Sequence, residues 1–121
     1  MSQQLLLVED EARLARAMSA LLTDEGYDVR ACTGVADAVE AFAPRRFVAA
    51  ILDVDVADGL VYPIADLLAQ AGIPYAFCSS THPDNVPARH QDALFLEKPF
   101  DLDQLRELAT ALAARARESG N

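Results

Sequence analysis

The sequence predicts an α/β fold in which helices cover both faces of one parallel β-sheet. Short apolar runs alternate with amphipathic segments along the whole chain, and this alternation is repeated five times. The chain has 121 residues, of which 52% are apolar, and this size and apolar content are typical of one well-buried domain. The apolar runs are as short as strands, and none approaches the roughly 20 residues that span a bilayer.

The positions of these runs predict the individual elements. The strands are expected at residues 5–8, 27–31, 47–52, 74–78 and 93–96. Of the five helical segments, four are expected at residues 11–25, 35–43, 61–71 and 102–117, with end signals at Gly26, Pro44 and Gly72 and a cap at Asp101. The remaining segment, residues 81–91, contains Pro83 and Pro87 and has little apolar periodicity, so its helix should be short or irregular.

Composition and charge limit the partners of the chain. A net charge of −9 and a pI near 4.4 argue against binding to a nucleic-acid backbone, which requires clustered Lys and Arg. The first residues lack the basic region of a signal peptide, so we expect a cytoplasmic protein that does not bind a membrane. Cys32 and Cys78 should then be reduced core thiols. We expect one domain, residues 1–118, followed by a frayed tail at residues 119–121.

Polar residues follow the ends of four predicted strands. Glu9 and Asp10 follow the first strand, Asp53 the third, Ser79 the fourth and Lys98 the fifth. Ligand sites of open parallel sheets lie at the carboxyl ends of the strands. If the first and third strands are neighbours, three carboxylates converge there and repel one another unless a cation such as Mg²⁺ binds between them. Together with a Lys and a Ser hydroxyl, this set has the groups that transfer of a phosphoryl group to a carboxylate requires.

These motifs carry a family resemblance. Val-Glu-Asp-Glu after the first strand, Ile-Leu-Asp53 at the third, Ser79 at the fourth and Lys98-Pro99-Phe100 at the fifth resemble a bacterial response-regulator receiver domain of the stand-alone, single-domain type. The resemblance spans nearly the whole chain. It implies a flavodoxin-like (βα)5 fold, a doubly wound parallel sheet with strand order 2-1-3-4-5.

The resemblance also implies a metal site. Asp10 would bind Mg²⁺ or Mn²⁺ directly, Glu9 would assist through water, and Asp53 and the backbone carbonyl of Val54 would complete the protein ligands. No other cofactor is implied.

In the same resemblance, Asp53 is the phosphoacceptor. It would take its phosphoryl group from the phosphohistidine of a histidine kinase or a histidine phosphotransfer protein, so the chain would catalyse only its own phosphorylation and dephosphorylation. Ser79 would bind the transferred group and Lys98 would hold one of its oxygens. Phe95 would be the switch aromatic, whose rotamer follows Ser79.

The signal would be read on the face built by the fourth helix, the fifth strand and the fifth helix. Three outputs are open for that face: docking onto an unidentified downstream protein, phosphorelay, or dimerisation on phosphorylation. The sequence does not identify the cognate kinase, the pathway or the output partner.

Departures from the family pattern concern hydrolysis. Gly59 follows Asp53 by only 6 positions and the usual Pro is absent, so the loop is short and its conformation is open. Asp55 and Thr81, each two positions beyond a site residue, are expected to tune the attack of water on the acyl phosphate.

Two other functions fit parts of the sequence. Asp53-Val54-Asp55 matches the D-x-D motif of haloacid dehalogenase-like phosphatases, in which Asp53 would be the nucleophile and Asp55 the acid and base. The alternative from the binding-module class is a receiver that works without phosphate.

His82 and His90 lie in a polar, proline-containing loop, and we expect both to be exposed and without a role.

Overall fold

The computed structural model describes residues 3–42 and 46–119. One parallel sheet forms the centre of the fold, and its strands pair in the order β2-β1-β3-β4-β5. The strands are β1 (Gln3–Val8), β2 (Tyr27–Cys32), β3 (Ala49–Leu52), β4 (Tyr75–Ser79) and β5 (Leu94–Glu97). The predicted fold class and the strand order 2-1-3-4-5 are confirmed. Because β1 and β3 are neighbours and Val8 lies beside Leu52, the two strands end at the same level.

Within residues 3–42 and 46–119, four α-helices cover the sheet. They are α1 (Ala12–Asp24), α2 (Val35–Phe42), α3 (Tyr62–Ala71) and α4 (Leu102–Ser119). The bounds differ from the predicted ones by two residues or fewer. The predicted stop of α2 at Ala43 and Pro44 lies outside the described residues, as do residues 120–121 of the predicted frayed tail. No helix in the described part of the chain is long and apolar enough to cross a membrane.

The sheet is buried on both faces. In β1, Leu6 and Val8 point into one core with α2 and α3, whereas Leu5 and Leu7 point into the other with α1 and α4. All four side chains are at most 1% exposed. This explains why residues 5–8 of β1 are a continuous apolar run instead of an alternating one, since a parallel sheet has helices on each face.

The last helix begins with a capping box. Asp101 Oδ1 accepts a hydrogen bond from the Gln104 N–H at 2.8 Å, and Gln104 Oε1 accepts one from the Asp101 N–H at 2.8 Å. Two N–H groups at the helix start are thereby satisfied. The predicted cap at Asp101 is confirmed.

The segment between β4 and β5 contains no α-helix. Two single 3₁₀ turns, Pro83–Asn85 and Ala88–His90, occupy the place of the fourth helix. Each proline lacks an N–H donor and holds the preceding residue extended, with ψ of 137° at His82 and 134° at Val86. The predicted signalling face must therefore be corrected, because β5 is flanked there by 3₁₀ turns and not by a fourth helix.

His90 anchors this segment. Its side chain is 1% exposed, its Nδ1 bonds the Tyr75 hydroxyl and its Nε2 lies 2.8 Å from Asp66 Oδ1. The ring also stacks on Tyr62 at a centroid distance of 5.9 Å. The predicted exposure of His90 is wrong, because its partners are 15 and 24 residues away in sequence and no local pattern indicates them.

We predict that His90→Ala destabilises the protein by roughly 2–3 kcal/mol, because it leaves a cavity and removes a partner from the Tyr75 hydroxyl. The free energy of unfolding in urea measures the loss. His82→Ala is the matched control, since the His82 side chain is 63% exposed, and it should cost less than about 0.5 kcal/mol. Equal losses in the two variants would contradict the anchoring role of His90.

Candidate functional site

The candidate site lies at the carboxyl edge of the sheet, where β1 and β3 end side by side. The Asp53 N–H donates to the Val8 carbonyl at 2.8 Å, and the Glu9 N–H donates to the Cys32 carbonyl at 2.9 Å, so the ladder continues past the strand ends. One carboxylate oxygen from each of Glu9, Asp10 and Asp53 lies within 4.8 Å of the others. The predicted convergence of the three carboxylates is therefore present.

Asp53 is held in one orientation. It is 8% exposed; its Oδ1 accepts from the Val54 N–H at 2.7 Å and its Oδ2 accepts from Lys98 Nζ at 2.9 Å. A carboxylate fixed at both oxygens needs little reorganisation before it reacts, which is the geometric requirement for an efficient nucleophile.

Lys98 joins two of the acids. Its Nζ lies 2.7 Å from Glu9 Oε1 and 2.9 Å from Asp53 Oδ2, and its backbone N–H donates to the Ser79 carbonyl at 2.9 Å. Burial alone would lower the pKa of Lys98, but the hydrogen bonds to Glu9 and Asp53 outweigh it and raise the pKa. The ammonium group is therefore charged at neutral pH.

Glu9 is the most buried of the three acids. Its side chain is 2% exposed, and the oxygen that does not bind Lys98 accepts from the Glu11 N–H at 3.0 Å. Burial raises the pKa of Glu9, and the hydrogen bonds from Lys98 and from the Glu11 N–H oppose this shift. Ionised Glu9 is therefore a destabilising charge for which Lys98 compensates only in part.

The donor set fits a hard divalent cation. Three carboxylates face one ammonium group, which leaves an excess of two negative charges. All of these donors are oxygens, which Mg²⁺ and Mn²⁺ prefer, and Asp10 is exposed to the solvent from which the metal's water ligands come. The carbonyl of Val54 already accepts from the Val61 N–H at 2.9 Å, so a metal ligand there would use its second lone pair.

Ser79 and Thr81 are coupled at the end of β4. Ser79 is 1% exposed, and its Oγ accepts from the Thr81 N–H at 3.2 Å. The Ser79 hydroxyl is thus bound within its own turn in this structure, whereas Glu9 and Asp53 bind Lys98. The neighbouring Cys78 thiol is also buried, and burial raises its pKa to about 12, so it is not a nucleophile.

Phe95 is partly buried and packs against the core beside the 3₁₀ turns. Its ring centroid is 6.2 Å from that of Phe77. Both rings line a cavity of about 30 Å³ that Val86 and His90 also border. Because this cavity is much smaller than a phenyl ring, Phe95 can move further inward only if the 3₁₀ turns move with it.

The loop after Asp53 contains a feature that the sequence analysis missed. Residues Asp55–Val56 and Gly59–Leu60 pair as a short antiparallel hairpin, and Asp55 is exposed on it. Gly59 has a φ of +135°, which favours glycine at this turn. The Asp58-Gly59 pair is a hairpin signal that could have been recognised, although the paired strands are only two residues long.

Comparison with known proteins decides the family. No protein-family model matches the chain, and no curated protein matches it in sequence. SdrG from Sphingomonas melonis Fr1 is 32% identical over 93% of this chain and 97% of its own, with a TM-score of 0.77. A response regulator receiver protein from Sinorhizobium medicae WSM419 is 25% identical over 94% of this chain and 97% of its own, with a TM-score of 0.80. The chain belongs to the response-regulator receiver domains.

A third structure concerns the metal. The response regulator protein TrrA from Thermotoga maritima, in complex with Mg²⁺ and BeF, is 18% identical over 91% of this receiver and 98% of its own chain, with a TM-score of 0.79. At this identity the likeness shows the shared fold. The acidic group of the present receiver is consistent with the same class of metal.

We predict that Glu9→Gln stabilises the receiver in the absence of metal by about 1 kcal/mol at pH 7, because it removes a buried charge. Since burial raises the pKa of Glu9 in the folded protein, the wild type loses stability as the pH rises from the ordinary glutamate pKa of 4.5 through the folded pKa. The stabilisation by Glu9→Gln should therefore become smaller as the pH falls from the folded pKa toward 4.5. Urea unfolding in EDTA from pH 4.5 to 7 measures it, and a gain that is constant with pH would contradict the assignment.

We also predict that Mg²⁺ raises the unfolding free energy of the wild type by roughly 2–3 kcal/mol at 100 times its Kd. Asp10→Asn should lose most of this gain. Asp28→Asn is the matched control, because Asp28 is an exposed acid at the opposite edge of the sheet and should keep it. Thermal unfolding with MgCl₂ or EDTA distinguishes the variants; an equal response of all three proteins would contradict a site at Asp10.

Proposed function

We propose that the chain accepts a phosphoryl group from a phosphohistidine donor onto Asp53, with Mg²⁺ or Mn²⁺ bound by Asp10, Glu9 and Asp53. The observation that carries the proposal is the Asp53 carboxylate, which is buried, fixed at both oxygens and grouped with two further acids and Lys98. The donor would be a histidine kinase or a histidine phosphotransfer protein.

The chemistry follows from the positions of these groups. An Asp53 oxygen attacks phosphorus as the bond from phosphorus to the donor histidine nitrogen breaks, and the product is an acyl phosphate. A bound divalent cation supplies neutralisation of the phosphoryl oxygens and of the surrounding carboxylates. Lys98, already 2.9 Å from Asp53 Oδ2, transfers part of its hydrogen bonding to the phosphoryl group.

Ser79 provides the link to the signal. Its hydroxyl leaves the Thr81 N–H and binds a phosphoryl oxygen, which draws the start of the 3₁₀ segment toward the site. Phe95 then repacks together with that segment, since the cavity beside it is too small for the ring alone. The altered surface consists of the 3₁₀ turns and β5, and its output is docking onto a downstream protein, phosphorelay or dimerisation.

Asp55 and Thr81 set the lifetime of the acyl phosphate in this proposal. Asp55 is exposed two positions beyond Asp53, where its carboxylate can accept a hydrogen bond from the attacking water. Asp55→Asn should therefore slow hydrolysis by roughly threefold or more. An unchanged decay rate would remove Asp55 from the mechanism.

We predict that incubation with acetyl phosphate and Mg²⁺ adds one phosphoryl group to the wild type and none to Asp53→Ala. Intact-mass spectrometry measures the adduct, EDTA should abolish it, and Asp28→Asn should behave as the wild type. Catalytic release of phosphate from several phosphomonoesters without an adduct would favour the phosphatase chemistry. Neither adduct nor release would favour a receiver that works without phosphate.

A further inference from the structure

The tip of the loop after Asp53 is bound to a different part of the molecule. Asp58 Oδ1 accepts from the Val35 N–H at 2.6 Å, and Asp58 Oδ2 accepts from the Ala36 N–H at 3.0 Å. These are N–H groups of the first turn of α2, which have no partner inside the helix. Asp58, which lies 23 positions after Val35, therefore caps α2, a role that the residue before a helix ordinarily has.

The residue before α2 is suited to this contact. Gly34 has no side chain with which to cap the helix, and a Cβ there would lie 2.4 Å from Asp58 Oδ1 and 2.9 Å from Asp58 Cγ. The close approach of the loop tip thus depends on glycine at this position. The two hydrogen bonds also lower the pKa of Asp58, so its carboxylate is ionised at neutral pH.

The loop is fixed at its base as well as at its tip. Val54 and Val56 are at most 5% exposed and pack into the core, and the Val61 N–H closes the base by donating to the Val54 carbonyl. Asp55 lies between these two valines and pairs with Leu60 on the other strand of the hairpin. The contact of Asp58 with α2 therefore limits the movement of the strand that carries Asp55.

We propose that Asp58 is a positioning residue, which holds Asp55 beside the acyl phosphate and thereby sets the lifetime of the acyl phosphate. This inference rests on the proposed function. In hydrolysis, the water oxygen forms a bond to phosphorus while the bond from phosphorus to the Asp53 oxygen breaks. The products are the Asp53 carboxylate and dihydrogen phosphate, which carries both protons of the water. A displacement of Asp55 misplaces the water and slows this step.

The chain offers a control that shares the helix but not the loop. Asp37 also caps α2, since its carboxylate accepts from the Thr33 and Gly34 N–H groups, both at 2.9 Å, and it forms no hydrogen bond with the hairpin among the described residues. Asp58→Ala removes two hydrogen bonds at the start of α2, and Asp37→Ala removes three, because the Thr33 hydroxyl also donates to Asp37 Oδ2 at 3.3 Å. Only Asp58→Ala releases the loop.

The experiment follows loss of the phosphoryl group by intact mass after acetyl phosphate is removed, together with amide hydrogen exchange of residues 55–61. Asp58→Ala and Gly34→Ala should both slow phosphoryl loss by roughly threefold or more and speed exchange in the loop. Asp58→Asn keeps one acceptor oxygen, so its rates of phosphoryl loss and of loop exchange should lie between those of the two Ala variants and those of the wild type. The acyl phosphate of Asp37→Ala should decay at a rate within about 1.5-fold of the wild-type rate.

Each contrary result has a distinct meaning. Faster loop exchange with unchanged decay in Asp58→Ala would overturn the positioning role and leave the phosphoacceptor intact. An equally slow decay in Asp37→Ala would also overturn it, because the effect would then come from helix stability. Further slowing by Asp58→Ala in an Asp55→Asn background would show that the loop does not act through Asp55. If the wild type takes up no phosphoryl group, the proposed function itself fails.

Discussion

The ion pairs of Lys98 are the interaction on which the site depends. A single ammonium group lies within 2.9 Å of both a buried glutamate and a buried aspartate, and it allows carboxylates to lie at the carboxyl edge of an otherwise apolar sheet. Without it, the burial of Glu9 would raise the pKa of that carboxyl further, and Asp53 would lose the donor that holds its Oδ2. The same group leaves the negative charge of the three carboxylates incompletely neutralised.

The sheet fixes the positions of these charged groups relative to one another. Because β1 and β3 are neighbours and end at the same level, two acids after one strand and one after the next come within a few ångströms without any long loop. The backbone bonds of Asp53 to Val8 and of Lys98 to Ser79 continue the ladder past the strand ends. The positions of the functional side chains are thus set by the sheet, whereas the loops determine what reaches them.

The sequence predicted the features that depend on strand order and missed those that depend on single distant contacts. Buried runs and polar strand ends are local patterns, so the convergence of Glu9, Asp10 and Asp53 could be inferred once two strands were taken as neighbours. His90 and Asp58 gave no such signal, because their partners lie 15 to 24 residues away and no periodicity connects them. His90, in a proline-containing loop, looked solvated, and only the packed chain provides the partners of both residues.

The aromatic cluster around His90 gives the molecule a built-in optical reporter. The chain contains no tryptophan and only three tyrosines, and two of these, Tyr62 and Tyr75, contact the His90 ring. Two of the three tyrosines therefore lie beside the 3₁₀ turns that border the cavity at Phe95. A rearrangement of that segment can be followed by tyrosine fluorescence in the unlabelled protein, without altering any residue of the site.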